Sequence, residues 1–275
     1  MARLRFLGAL LVMLAGFGMP AQADQPGMER LYNALRLSQS LAILRAESLS
    51  YALNNDKALL GKPGTAAWAR AMQGVHDTAA LEKIVQQNFY DALRDVDVSP
   101  LVRFFESEAG QRVVDLEITA RDAFRNRDIE EAARAAWRAN PDSGRHADAI
   151  QAFIQVGDLI ERNVTGSLNA NYRFLRALMQ ASPGTAQKSE AQILSDVWAQ
   201  APAIRADAEE WLYAFLSVAY APLSSADMAA YLAVWQTPQG RALNNAMFLG
   251  FDQMFEVISD GIGTAAANLR TSKQL

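Results

Sequence analysis

The chain has 275 residues, no cysteine, 51% hydrophobic residues and a net charge of −4. The missing cysteine excludes thiol catalysis, thiolate metal sites, disulfides and redox switching, so stability has to come from packing. The mildly acidic balance argues against nonspecific nucleic-acid binding.

Residues 1–23 read as a secretory signal peptide. Arg3 and Arg5 form a basic start, Phe6 to Gly18 an apolar run, and Ala21-Gln22-Ala23 an A-x-A cleavage site. The run is too short to span a bilayer, which needs about 20 apolar residues. No cysteine follows it, so no lipid-anchored lipoprotein is expected. The expected location is periplasmic or secreted. Cleavage removes two arginines and no acids, which changes the net charge from −4 to −6. No later stretch has transmembrane length and apolarity; Phe248 to Ile258 is interrupted by Asp252, Gln253 and Glu256.

After the leader, nearly every apolar pattern has helical period. Leu31, Leu35, Leu41 and Leu49 predict one long helix from Met28 to Leu53, which Asn54-Asn55-Asp56 and Gly61 to Gly64 end. Leu81, Ile84, Val85, Phe89 and Leu93 predict a second over Thr78 to Val96. Ser99-Pro100 reads as an N-cap followed by proline at the first helical position. Past Gly110, Val113, Leu116, Ala120 and Phe124 point inward from the next helix. Asn140-Pro141-Asp142-Ser143-Gly144 is the clearest linker.

The second half repeats this order. Ile150, Phe153, Ile160, Val164 and Leu168 predict a long helix, and Ser182-Pro183-Gly184 breaks the chain. Helices follow around Ile193 to Trp198 and Trp211 to Tyr220. Met228, Tyr231, Leu232 and Trp235 share one helical face. Leu243, Met247, Phe251, Met254 and Ile258 form a last stripe. The expectation is an all-α helical bundle of two similar repeats, 26–138 and 146–262, with a flexible tail over 263–275.

One motif carries the duplication. Phe104-Phe105-Glu106-Ser107-Glu108-Ala109-Gly110 and Val234-Trp235-Gln236-Thr237-Pro238-Gln239-Gly240 share a plan: two bulky apolar residues, a polar one, Ser or Thr, two more, then Gly. Ser107 and Thr237 can cap a new helix. Pro238 fits its first position, and Glu108 suits the dipole there. Gly110 and Gly240 leave room for another helix to approach. The elbow is expected to be structural, because capping and packing account for every position.

Phe104-Phe105-Glu106-Ser107-Glu108-Ala109-Gly110-Gln111 resembles the F-[FY]-x-S-x-x-G-[QK] signature of domain-of-unknown-function family 2059, a group of exported helical bacterial proteins. The resemblance covers residues 99–115 most specifically. The second copy departs from it at Val234-Trp235, Thr237 and Arg241. The resemblance implies export and a helical fold, and no activity.

No catalytic grammar stands out. His76 and His146 lack metal-ligand partners and are expected to be solvated. Asp95, Asp97, Ser99 and Glu106 mimic a calcium loop, but Pro100 takes the position that needs Gly. Glu130-Glu131 and Glu209-Glu210 diverge around their helices, so each pair reads as a solvated face. Asn163-Val164-Thr165 matches a glycosylation acceptor inside a predicted helix. No cofactor or metal is expected. The aromatic stretch from Trp211 to Phe255 is the one candidate binding surface. The expected function is a non-enzymatic binding or interaction module, meeting a protein partner or a second copy of itself. The alternative is a binder of a small apolar ligand or an unrecognised hydrolase of the cell envelope. That alternative requires a closed cavity with charged groups facing inward and perturbed titration.

Overall fold

The computed structural model describes residues 25–141, 144–180 and 188–271. The signal-peptide reading of residues 1–23 and the break at Ser182-Pro183-Gly184 lie outside them. Among the described residues every regular element is a helix, so the fold is all-α. The first half contains α1 (Gln25–Ala34), α2 (Leu37–Asn54), α3 (Asp56–Leu60), α4 (Ala66–Val75), α5 (Thr78–Leu93), α6 (Ser99–Phe105), α7 (Glu108–Ala123) and α8 (Arg127–Ala139). The second contains α9 (Ala147–Gly157), α10 (Leu159–Gln180), α11 (Glu190–Trp198), α12 (Ala201–Tyr220), α13 (Ser225–Gln236) and α14 (Pro238–Thr271).

One core serves both halves. It runs from Met28 and Leu31 in α1, through Phe89 and Val113, to Tyr220, Tyr231, Met254 and Ala266. The 34-residue α14 is about 50 Å long and packs along α10, α5 and α4. Its small residues allow that approach: a Cβ on Gly250 would lie 3.1 Å from the Val85 carbonyl oxygen of α5. Residues 263–271 continue this helix, with Ala266 and Ala267 fully buried. The expected flexible tail therefore does not begin at residue 263. Two alanines seated in the core and the Arg270 side chain, which donates to the Leu59 carbonyl, hold the end down.

Both long helices expected from periodicity are broken. Arg36, at φ 50°, separates α1 from α2, and Asp158, at φ 51°, separates α9 from α10. Left-handed backbone is costly for such residues, and side chains far away in sequence take up the freed carbonyls. Gln111 Nε2 donates to the Ala34 carbonyl at 2.8 Å and to the Phe105 carbonyl at 2.6 Å. Asn244 Nδ2 donates to the Gly157 carbonyl at 2.8 Å from a buried position. Period alone cannot show these kinks, because what stabilises them is tertiary.

The two elbows share their geometry. Ser107 Oγ donates to the Phe104 carbonyl at 2.6 Å and accepts from Gly110 N–H at 3.2 Å. Thr237 Oγ1 donates to the Val234 carbonyl at 2.6 Å and accepts from Gly240 N–H at 2.9 Å. Pro238 opens α14 directly after Thr237. The glycines work differently from the sequence expectation. The nearest obstacle is the last turn of the preceding helix. A Cβ on Gly110 would overlap the Phe104 carbonyl oxygen and lie 2.8 Å from Phe105 Cα. One on Gly240 would overlap the Val234 carbonyl oxygen and lie 2.7 Å from Trp235 Cα. Ser99 is not a cap either: it opens α6, and its N–H donates to the Asp97 carboxylate at 3.0 Å.

Gly240→Ala is expected to lower unfolding stability by about 1–3 kcal/mol, the range for forced overpacking. Gly74→Ala, in α4 with nothing near the added carbon, should instead raise it by about 0.5–1 kcal/mol. Urea unfolding of the two variants checks the contrast.

Candidate functional site

The candidate site is a partly open cavity between α2, α7, α10, α12, α13 and α14. On α7, Val113, Glu117, Ala120 and Phe124 recur at i, i+4, i+7 and i+11, which is one inward stripe. Val113, Ala120 and Phe124 are buried as that stripe demands. Glu117 puts a carboxyl group on the same stripe.

That carboxyl is enclosed by aromatic rings. Its Oε1 accepts the Tyr220 hydroxyl of α12 at 2.6 Å and the Tyr231 hydroxyl of α13 at 2.7 Å. Tyr220 and Tyr231 themselves are almost wholly buried. Their rings meet edge to face at 5.8 Å, and Phe153 and Trp235 pack around them. Burial pushes the Glu117 carboxyl above its ordinary value, although both tyrosines pull the other way by favouring the charged form. Burial likewise pushes both tyrosines well above theirs, and the Glu117 charge adds to it. The residue keeps some accessible surface because it faces a cavity.

The cavity has a volume of about 310 Å³. Leu35, Ile43, Val114, Phe153, Leu212 and Leu216 are among its apolar walls, with the Glu117 carboxyl set into them. It adjoins a second compartment of about 370 Å³. Leu44, Arg121, Asn163, Met247, Phe248 and Phe251 line both, so one space extends from Glu117 toward Asp252. Both volumes fall in the range of small-molecule sites, about 300–1,000 Å³.

Two charged groups mark the outer compartment. Arg121 stands one turn past Glu117 on α7. Its Nη2 pairs with Glu47 of α2, and its guanidinium lies 4.9 Å over the Trp211 ring. Its Nε–H is buried without an acceptor. Asp252 of α14 is wedged against Gly166 of α10, where a Cβ would overlap its carboxylate. Its pKa is pushed up to about 6, first by burial and then by Glu256, with Arg162 opposing.

The motif residues divide between structure and site. Phe105 and Trp235 line the cavity. Phe104 stacks on Tyr231 at 6.2 Å between ring centres. Ser107, Gly110, Thr237, Pro238 and Gly240 form the elbows and do not line it. In the aromatic stretch, Trp211, Phe215, Tyr220, Tyr231, Trp235, Phe248 and Phe251 face the cavity and Phe255 its outer part. Tyr213 stacks outside it, on Trp137.

Several polar residues differ from expectation. His76 is fully buried, not solvated: Nδ1 meets the Met72 carbonyl at 2.8 Å and Nε2 the Ser48 hydroxyl at 2.9 Å. Burial moves its pKa down, against the pull of the Met72 carbonyl. His146 Nε2 meets the Leu223 carbonyl at 3.0 Å. Glu130 and Glu131 pair with Arg134 and Arg138 within α8, and Glu210 of α12 pairs with both arginines and fastens α8 to α12. Glu106 pairs with Arg30 of α1. Asn163 donates to the Leu159 carbonyl and lines both compartments. No group of His, Asp or Glu among the described residues is spaced to hold a metal ion. Among them, too, no helix is long and apolar enough to cross a membrane. The exposed large apolar side chains are scattered over α2, α8, α11, α12 and α14, so the interior is the stronger candidate site.

No protein-family model, curated protein or solved structure matches the chain.

Asp252 allows a pH test. A carboxyl with a raised folded pKa holds its proton longer in the folded state, so its contribution to stability is full below the unfolded value and lost as pH rises through the folded one. For Asp252 that window runs from about 4 to about 6. Asp252→Asn removes the loss. The variant should gain stability over wild type as pH rises through this window and gain little below it. Thermal melts at both ends of the window check it.

Proposed function

We propose that the protein is a non-enzymatic binding protein that holds a small, mainly apolar molecule inside its helical bundle. The observation that carries this reading is the aromatic-walled cavity with the Glu117 carboxyl set into it. A core without a ligand closes over its apolar walls, because interiors pack as densely as organic crystals. Tyr220 and Tyr231 hold the Glu117 carboxyl in those walls by donating to one of its oxygens. The joint presence of an apolar space and one polar point is the pattern of a small-molecule site.

The same reading places the protein outside the cytoplasm, in the periplasm or secreted. The basic start, apolar run and A-x-A site of residues 1–23 support that placement. It also takes the two halves as copies of one helical unit. The support is the recurring elbow and the left-handed break that precedes it in each half. The resemblance of residues 99–115 to domain-of-unknown-function family 2059 agrees with both points.

Native mass spectrometry of protein purified without denaturation tests the function. An adduct of defined mass is expected. Leu44→Trp, which puts an indole where the two compartments join, should remove the adduct and leave the helical circular dichroism unchanged. A clean apo mass in the wild type, with no added apolar compound taken up, overturns the reading.

A further inference from the structure

We infer that the cavity takes an organic cation, an amine carrying an apolar body, whose ammonium group pairs with the free oxygen of the Glu117 carboxylate. The inference rests on the ligand-binding reading and names the ligand's chemistry.

The two oxygens of Glu117 are used differently. Oε1 accepts both tyrosine hydroxyls, at 2.6 and 2.7 Å. Those lengths fall in the range of a hydroxyl donating to a charged oxygen, about 2.5–2.7 Å. Two donors converging on one oxygen favour the ionised carboxylate over the neutral acid. Oε2 accepts from no residue among those described, and it is not sealed from the cavity that Glu117 lines. The side chain is thus anchored through one oxygen and presents the other.

No cation of the protein answers that charge. Arg121, one turn further along α7, pairs with Glu47 and lies over the Trp211 ring. Asp252, the other acid on the lining, already has the Arg162 charge nearby. Burial pushes the Glu117 carboxyl up against the pull of both tyrosines, as it does for a charge with too few partners. A buried charge is ordinarily paired, and here the partner has to come with the ligand.

The neighbouring polar atoms suit a donor. Asn163 and Asn244, both on the lining, use their amide nitrogens on the Leu159 and Gly157 carbonyls. An ammonium group brings three donors and no acceptor. A carboxylate head would instead face Glu117 and find Arg121 already taken. A neutral hydroxyl would leave the Glu117 charge unanswered. The apolar walls around Leu44, Met247 and Phe251 receive the body of the molecule.

A matched series of octane, octanol, octanoate and octylamine tests the inference on the whole chain near neutral pH. Isothermal titration calorimetry reads it, together with emission from Trp211 and Trp235, which line the cavity. Octylamine should bind about tenfold tighter than octanol, the difference between a hydrogen bond to a charged group and one between neutral groups. Glu117→Gln keeps the side chain's size and an accepting oxygen for the tyrosines but carries no charge. It should erase that advantage and leave octanol affinity unchanged, a separation that mere loosening of the fold would not produce. Octanol binding as tightly as octylamine to the wild type overturns the inference and leaves cavity binding standing; this comparison needs no variant to fold. Tightest binding of octanoate overturns it in favour of a site centred on Arg121. An amine preference that survives Glu117→Gln overturns the assignment of the ammonium to Glu117. Failure of every member, octane included, overturns the ligand-binding reading as well.

Discussion

A carboxyl group in an aromatic core has to be held from more than one side, and Glu117 is held from two. Removing a carboxylate from water costs several kcal/mol even after relaxation. The hydroxyls of Tyr220 and Tyr231 offset part of that cost by converging on one oxygen. Glu117 comes from the first half of the chain and both tyrosines from the second. The bond pair therefore fixes how α7 meets α12 and α13, and with them the inner wall of the cavity. Phe105, Phe153 and Trp235 complete the packing around the two tyrosine rings. Each aromatic pair contributes roughly 0.5–1.5 kcal/mol beyond its burial. The polar point is thus held in place by apolar contacts that span both halves.

The elbows were legible because capping is local. Ser107 and Thr237 announce themselves by residue type and by the glycine three places on, and the structure uses both as caps. The helix breaks were not legible. Arg36 has no glycine or proline beside it, the lone Gly157 before Asp158 does not by itself mark a break, and Gln111 and Asn244 lie 77 and 87 positions from the carbonyls they take. The burial of His76 was hidden in the same way, since Ser48 is 28 positions off. Glu117 is a different matter. It falls on the inward stripe of α7 with Val113, Ala120 and Phe124, and an acid on an apolar stripe is a signal that needs no tertiary information. Periodicity read only through hydrophobic residues passes over it, and takes its partly exposed neighbour Leu116 as the inward position.

The glycines of the motif show how one observation can support two physical accounts. A missing side chain three residues after a cap is compatible with close approach of another helix or with crowding by the turn just completed. The structure selects the second, since the nearest obstacles are the Phe104 and Val234 carbonyls. Close helix approach does occur, but at Gly250 against Val85. The capping at each corner is local, while Gln111 and the Arg30–Glu106 pair also tie the first corner to α1. Phe105 and Trp235, immediately before the two corners, line the same cavity from opposite halves.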